Sequence, residues 1–169
     1  MGQKQVFATA LTDVYYNSTF WKEAPGTIRV ENNATYKFVA FSGATAVAAG
    51  DVVGYVAAAS DGNAQIVDDL STNLAAGVAM AAVAAGTKTS GAVAYAQGWV
   101  QIKGLTALST SIQGASTVVG ANFGYPVVPS GTSSIPGVAL ISGTASIAAT
   151  QQTVGWFYAS KTILSDFPY

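Results

Sequence analysis

The residue types that perform most enzyme chemistry are scarce in this sequence. It contains no His and no Cys, which excludes Cys or His catalysis and the usual zinc sites. Ser and Thr are plentiful, but no Ser-x-x-Lys spacing provides a lysine base to activate a serine. Neither a P-loop nor a dinucleotide-binding pattern occurs among the glycines. We therefore expect no catalytic residue, no cofactor and no enzymatic activity.

Asp68-Asp69 is the one adjacent pair of carboxylates. Two carboxylates that converge can act as acid and base or bind a cation, but neighbouring residues of a strand point to opposite faces. We interpret the pair as solvated residues of a turn, with weak cation binding as the alternative. The prediction is that the chain has no metal site.

Charge is low and unevenly spread. Lys and Arg number seven and Asp and Glu eight, so charged residues make up 9%, against about 25% in an average domain. The basic residues are scattered, whereas phosphate binding needs clustered ones, so nucleic acid is excluded as a partner. Residues 104–160 carry no charge at all. Either their surface is that of a tightly folded Ser/Thr-rich β domain, or other subunits cover it.

The segment LAAGVAMAAVAAG, residues 74–86, contains no charged residue, and seven of its thirteen residues are Ala. A membrane helix needs about twenty apolar residues, so these thirteen predict no membrane span. Ala and Met favour a helix, but the polar turn that follows and the alternating run after it favour strands. We predict a strand over 74–83 and a turn over 84–86.

Short β-type runs separated by turn signals continue along the chain. TIRVE, TYKFVAF and DVVGYV read as strands, and turn-rich pieces separate the later runs. This pattern predicts an all-β fold, a small barrel or a sandwich. Residues 1–26 are predicted to form an extended arm with one short strand over 6–11. Residues 27–169 form a β-rich domain, or two lobes at 27–104 and 105–169, because GVAMAAVAAG and GVALISGTAS echo one another.

Aromatic residues are the candidate contact residues. Four of them cluster in the arm before Pro25-Gly26, and three more follow Gly residues or alternate along later strands. The arm packs either on the chain's own sheet or on a neighbour, and Trp99 either covers a sheet edge or contacts a partner. The residues that we predict at a subunit interface are Tyr15, Tyr16, Phe20, Trp21, Trp99, Trp156 and Tyr158.

Three segments carry a family resemblance. In order, AAGDVVGYV (48–56), LAAGVAMAAVAAG (74–86) and GAVAYAQGWVQIKG (91–104) resemble the capsid decoration, or cement, proteins of tailed bacteriophages. The resemblance covers about residues 45–104 and implies a small β-barrel or β-tulip. It also implies a protein that binds the outer capsid lattice, often as a trimer, and reinforces the head.

From this resemblance we expect a structural virion protein on the phage head surface, made in the host cytoplasm. The expected partners are the major capsid protein and further copies of the chain. The alternative is a tail or fibre component, or a surface adhesin, that binds a host receptor. Ser/Thr-rich β chains with exposed aromatic residues also suit that role.

Overall fold

The computed structural model describes residues 6–16, 20–43, 45–56, 66–69, 75–86, 96–109, 126–129, 139–141, 155–159 and 162–167. Within these residues the chain forms ten strands and no helix, which confirms the predicted all-β class. The strands are β1 (Ile28–Glu31), β2 (Ala34–Phe41), β3 (Val52–Tyr55), β4 (Ile66–Asp69), β5 (Ala75–Ala79), β6 (Ala96–Ala107), β7 (Pro126–Pro129), β8 (Ala139–Ile141), β9 (Gly155–Ala159) and β10 (Thr162–Asp166).

The ten strands pair in one sheet, in the order β1-β2-β4-β3-β5-β6-β10-β9-β7-β8. Their pairings are antiparallel except for the short parallel pair of β2 with β4. β2 also pairs with β6, over residues 35–41 of β2. The pairings of β2, β4, β3, β5 and β6 therefore form a circuit that returns to β2.

Strand β2 is buried along its whole length. Val39 and Phe41 belong to the larger hydrophobic cluster, whereas Tyr36 and Phe38 belong to a second one. Because successive side chains of a strand point to opposite faces, β2 has an apolar layer on each side. This explains why its sequence shows no simple alternation of apolar and polar residues.

The hairpin between β1 and β2 turns through Asn32 and Asn33. Their φ angles are 50° and 61°, in the left-handed region that asparagine tolerates better than most residues. Two such residues in succession form the type I′ turn, whose twist matches that of the flanking strands. The turn thereby sets the register in which Glu31 pairs with Ala34.

The larger cluster is built mainly from Val and Ala side chains of β3, β5 and β6. Its close packing is clearest at Gly77, where a Cβ atom would lie 2.9 Å from the Cβ of Val100. Small residues in β5 therefore allow the backbone of β5 to lie close to the side chains of β6. The three alanines of β5 itself, Ala75, Ala76 and Ala79, are all buried in this cluster.

The strand predicted over 74–83 is shorter in the structure. β5 ends at Ala79, the chain bends at Met80, and Val83 makes only an isolated bridge with Val47. The reason is that the backbone of Ala79 bonds to the corner formed by residues 48–51, just before β3. The Ala79 N–H donates to the Asp51 carbonyl (2.9 Å), and the Ala79 C=O accepts from the Gly50 N–H (2.8 Å). The predicted turn is confirmed at residues 85–86, and residue 74 lies outside the described residues.

That corner explains the Gly-Asp pair at positions 50 and 51. Gly50 has a φ of +89°, and its carbonyl accepts from the Ser109 N–H at 3.0 Å. The Asp51 carboxylate accepts from the Ala48 N–H at 2.6 Å and from the Ser109 hydroxyl. The corner thereby ties the start of β3 to the chain just after β6.

The prediction that Asp68 and Asp69 lie in a turn is wrong. Both are in β4, where Asp68 pairs with Gly54 and Asp69 with Val53. β4 is held between β3 and β2, so this stretch of backbone is part of a ladder rather than a loop. Among the residues that the structure describes, no group of three His, Cys, Asp or Glu could hold a metal ion.

The C-terminal strands attach to the first half of the chain through β6. β10 pairs with β6 over residues 103–107 and with β9 on its other side. The buried Ser165 hydroxyl donates to the Gly104 carbonyl at 2.8 Å and lies 3.2 Å from the Thr106 hydroxyl. The choice between one β-rich domain and two lobes stays a prediction.

We predict that Gly50→Ala destabilises the fold strongly. A Cβ atom at Gly50 would lie 2.5 Å from the Ser109 nitrogen, and that contact is with backbone. The left-handed conformation adds about 1–2 kcal/mol, so the free energy of unfolding should fall by about 2–4 kcal/mol. Urea unfolding measures this.

Gly86→Ala is the matched control for that substitution. Gly86 has a similar φ of +79°, but an added Cβ there would meet no atom within 4 Å. The free energy of unfolding should therefore fall only by the cost of the left-handed conformation, about 1–2 kcal/mol. Equal losses for the two variants would show that the close approach at Gly50 is unimportant.

Candidate interaction surface

The N-terminal segment, defined as residues 6–16 and 20–26, packs Phe7, Leu11 and Trp21 on the aromatic face of the β2–β6 pair, whereas its Val14 packs against the larger cluster. It forms bends and turns, so the short strand predicted over 6–11 is wrong. The face beneath it is the second hydrophobic cluster, which we call the aromatic cluster. Its buried members are Ala34, Tyr36, Phe38 and Trp99, and Phe7, Leu11, Trp21 and Met80 pack against them.

Trp99 is the centre of the aromatic cluster. It is 1% exposed, and its ring makes edge contacts with Phe38 (centroids 5.1 Å apart) and Phe7 (5.6 Å apart). Its indole N–H donates to the Thr9 hydroxyl at 2.9 Å. The described N-terminal segment therefore covers Trp99 within its own chain, and Trp99 could touch a partner only where that segment is displaced.

A small polar network holds the first turn of the segment in place. The Thr9 hydroxyl donates to Glu23 Oε1 at 3.2 Å, and the Ala8 N–H donates to the same oxygen at 2.8 Å. Arg29 donates from a terminal nitrogen to the Thr9 carbonyl at 2.9 Å. Because Thr9 also accepts from Trp99, it couples the segment to the sheet through both its side chain and its backbone.

Arg29 joins the hairpin to the aromatic cluster. Its guanidinium carbon lies 5.0 Å from the Phe7 ring centroid and 5.9 Å from that of Trp99. It also forms an ion pair with Glu31, two residues along β1. A planar cation of this kind stacks on aromatic rings while its N–H groups remain free to donate.

Gln97 is the second polar anchor of the segment, and it is fully buried. Its side-chain oxygen accepts from the Lys22 N–H at 2.9 Å and its side-chain nitrogen donates to the Phe20 carbonyl at 3.2 Å. Its backbone exchanges two hydrogen bonds of 3.0 Å with Tyr15. A buried amide with both ends satisfied holds the segment at two points, residue 15 and residues 20–22.

Tyr15 is half-buried beside this bridge, and its hydroxyl donates to the Asp13 carboxylate at 3.0 Å. Burial raises the pKa of Tyr15, and the hydrogen bond and negative charge of Asp13 raise it further. Burial also raises the pKa of Tyr36 in the aromatic cluster. Both phenols are therefore neutral well above neutral pH and carry no charge into the packed face.

Two predicted contact residues point outward. Phe20 is 62% exposed, with the Lys22 ammonium 4.6 Å from its ring centroid. Tyr16 is 41% exposed, and its hydroxyl accepts from the Ala84 N–H at 3.3 Å. The same segment thus buries one set of aromatic residues against the sheet and presents another to solvent.

The structure separates the seven predicted interface residues into groups. Trp21 and Trp99 pack in the aromatic cluster and Tyr15 bridges Gln97, while Tyr16 and Phe20 are exposed. The last two, Trp156 and Tyr158, are in β9, where Trp156 pairs with Pro126 and Leu164. The side chains of these two lie outside the described part of the chain, and the interface assignment of all seven stays a prediction.

Sequence reasoning missed the residues that hold the segment, namely Thr9, Glu23, Arg29 and Gln97. Only Gln97 offered a signal, as a lone amide inside the apolar run AYAQGWV. It also missed Lys37, which is 5% exposed and donates to the Tyr55 hydroxyl at 2.8 Å. The Lys37 ammonium also lies 5.4 Å from the centroid of the Tyr55 ring.

An open cleft of about 300 Å³ lies where β5 and β6 meet the chain just before β3. None of its lining residues is titratable, so they offer no acid or base for catalysis. The lining residues are Ala49, Gly50, Val78, Ala79, Met80, Gln101, Thr106, Ala107 and Leu108.

Comparison of the chain with protein-family models, with curated proteins and with solved structures finds no match. In the described part of the chain, no helix is long and apolar enough to cross a membrane.

We predict that Thr9→Val loosens the N-terminal segment. Valine keeps the shape of threonine but leaves the buried Trp99 N–H without its acceptor. An unsatisfied buried donor costs about 1–3 kcal/mol. Urea unfolding followed by tryptophan fluorescence measures this loss. Thr12→Val, at an exposed position, is the control, and equal unfolding midpoints for the two variants would contradict the proposed anchor.

Proposed function

We propose that this chain is a structural virion protein that binds the outer surface of a phage capsid lattice and stabilises the head. The observation that carries the proposal is the place of the three segments that resemble decoration proteins. Their strands β3, β5 and β6 are consecutive in the sheet, with β5 paired to both others. Segments that are separate in sequence thus make up one continuous part of the fold.

We further propose that β2, β4, β3, β5 and β6 form the small barrel that the resemblance implies. The circuit of pairings among these strands supports this arrangement. The larger hydrophobic cluster draws on all five strands or their flanks, as a common interior would require. A closed set of strands leaves few unpaired edges, which suits a protein exposed at high local concentration on a particle.

The uncharged stretch over 104–160 supports a multi-copy assembly. An isolated soluble domain usually carries mixed charge over its surface. In a lattice, neighbouring subunits cover much of that surface, and charge there would have to be desolvated. We propose the major capsid protein and further copies of this chain as the neighbours, with a trimer as the assembly.

The N-terminal segment is the proposed contact element of this assembly. Its inner side is anchored to the sheet through Thr9 and Gln97, so its position is set before any partner binds. Its outer side presents Tyr16 and Phe20. Aromatic residues on a rigid support are typical anchors of protein interfaces, since they bury large area at low entropic cost. In this proposal the role is binding and mechanical reinforcement, without catalysis.

The direct test locates the chain on the particle that contains it. We expect antibody-labelled electron micrographs to show the chain over the head surface, and purified heads to hold it at a fixed ratio to the major capsid protein. Labelling of tails alone would contradict the proposal and favour the tail, fibre or adhesin alternative. Binding of the isolated protein to host cells would point to the same alternative.

We also predict that Phe20→Ser weakens binding to heads that lack this chain. Loss of an aromatic anchor costs about 2 kcal/mol or more, which corresponds to at least about a thirtyfold weaker Kd. Co-sedimentation with heads measures the affinity. Leu164→Ser removes another exposed apolar residue, 42% against 62%, from β10 outside the uncharged stretch and should bind as the wild type does. Equal binding by both variants would exclude Phe20 as an anchor.

A further inference from the structure

Strand β1 is at one end of the sheet order and pairs only with β2 among the strands that the structure describes. The Phe38 N–H donates to the Thr27 carbonyl at 2.9 Å, which establishes these two residues as a hydrogen-bonded pair. Hydrogen-bonded pairs alternate along an antiparallel ladder, so residues 29 and 31 also direct their backbone groups toward β2. The N–H and C=O groups of Ile28 and Val30 therefore face away from the sheet.

The side chains of β1 make this edge unusual. Val30 is 73% exposed and Ile28 is 36% exposed, on the same face of the strand. Arg29 and Glu31 occupy the other face, as an ion pair. Edge strands are normally protected against pairing by bulges, prolines or inward-pointing charges. β1 has no bulge and no proline, since its register with β2 is regular, and its inward-pointing charge, Arg29, is already paired with Glu31.

We propose that β1 pairs with β1 of a second copy of this chain, antiparallel about a twofold axis at Val30. In this arrangement Val30 lies opposite Val30 of the second copy, and the two exchange their outward backbone hydrogen bonds. Arg29 lies opposite Glu31 of the second copy, and Glu31 opposite Arg29. The edge is therefore complementary to itself in both hydrogen bonding and charge.

The charges select this register over its nearest alternative. A twofold axis at Arg29 would also pair outward backbone groups, with Ile28 opposite Val30 of the second copy. It would, however, place Arg29 directly against Arg29 of the second copy, and like charges opposite each other destabilise a strand pair. Only the axis at Val30 puts opposite charges against each other twice.

The pairing surface is small, because β1 has only four residues. A ladder of this length buries less area than a stable dimer requires, so the isolated dimer should be weak and should depend on concentration. This inference is independent of the proposed function, since it concerns the chain alone and needs no capsid.

Disulfide trapping tests the register directly. The chain contains no cysteine, so Val30→Cys introduces the sole thiol. Across a hydrogen-bonded antiparallel pair the Cα atoms are about 5.5 Å apart, within the range of about 4.4–6.8 Å that a disulfide spans. Under mild oxidation we expect most of the Val30→Cys protein to become a covalent dimer that a reducing agent returns to monomer.

Ile28→Cys is the matched control, on the same strand and face. In the proposed register, residue 28 lies opposite residue 32, so two copies of residue 28 are about 14 Å apart and should not be linked. Equal trapping of both variants, or trapping of neither, would overturn the proposal. A disulfide formed only in a mixture of the two variants would show the register centred on Arg29 and would also overturn it.

The pairing of Arg29 with Glu31 of the second copy can be tested in the Val30→Cys variant. Adding Glu31→Arg to Val30→Cys places Arg29 against a second arginine at both ends of the pair. We expect the rate of cross-linking at low salt to fall at least about tenfold, and to recover in part at high salt because added ions screen the repulsion. A rate that matches that of Val30→Cys alone would contradict the assigned register.

Discussion

The pairing of β2 with β6 is the contact on which the rest of this structure depends. It extends over residues 35–41 of β2 and lies between the two hydrophobic clusters. Val39 and Val100 contribute to one side, and Phe38 and Trp99 to the other. A strand pair with an apolar layer on each face behaves as the middle layer of the domain, so its register sets the positions of both clusters.

The aromatic side of this pair needs a cover, and the N-terminal segment provides it. A segment without regular secondary structure satisfies only some of its backbone groups internally, so it also depends on partners supplied by the sheet. Gln97 supplies them at Phe20 and Lys22 through its buried side-chain amide, and the buried Trp99 indole donates to the Thr9 hydroxyl. The same segment therefore combines apolar packing on the sheet with polar anchoring to it.

The two proposals use different surfaces of the same fold. Attachment to a capsid uses the outside of the N-terminal segment, at Tyr16 and Phe20, whereas self-pairing uses the free edge of β1. The hairpin links the two, because Arg29 in β1 also holds the Thr9 carbonyl of the segment. Pairing of β1 leaves that contact in place, since the Arg29 side chain lies on a face of the strand while pairing uses its backbone edge.

Much of the fold could be predicted from the sequence. The alternating run TIRVE identified β1, the run DVVGYV after the Ala-Ala-Gly turn identified β3, and the aromatic, β-branched composition of TYKFVAF identified β2. The Pro-Gly and Ala-Ala-Gly signals identified turns. The place of Asp68 and Asp69 in β4 could not be predicted, because the strand exists through its pairing with β3 and β2 rather than through its own residues. The end of β5 at Ala79 likewise depends on the corner at Gly50 and Asp51.

The sequence by itself determined the all-β class, the absence of His and Cys chemistry and the list of aromatic residues available for contacts, because these follow from composition and local periodicity. Only the tertiary structure decided which of those aromatic residues are buried. Trp99 and Phe20 look alike in sequence, yet one is 1% exposed and the other 62%. The physical reason is that burial of Trp99 depends on residues far away in sequence, Phe7 and Thr9 above all, which no local pattern around Trp99 can reveal.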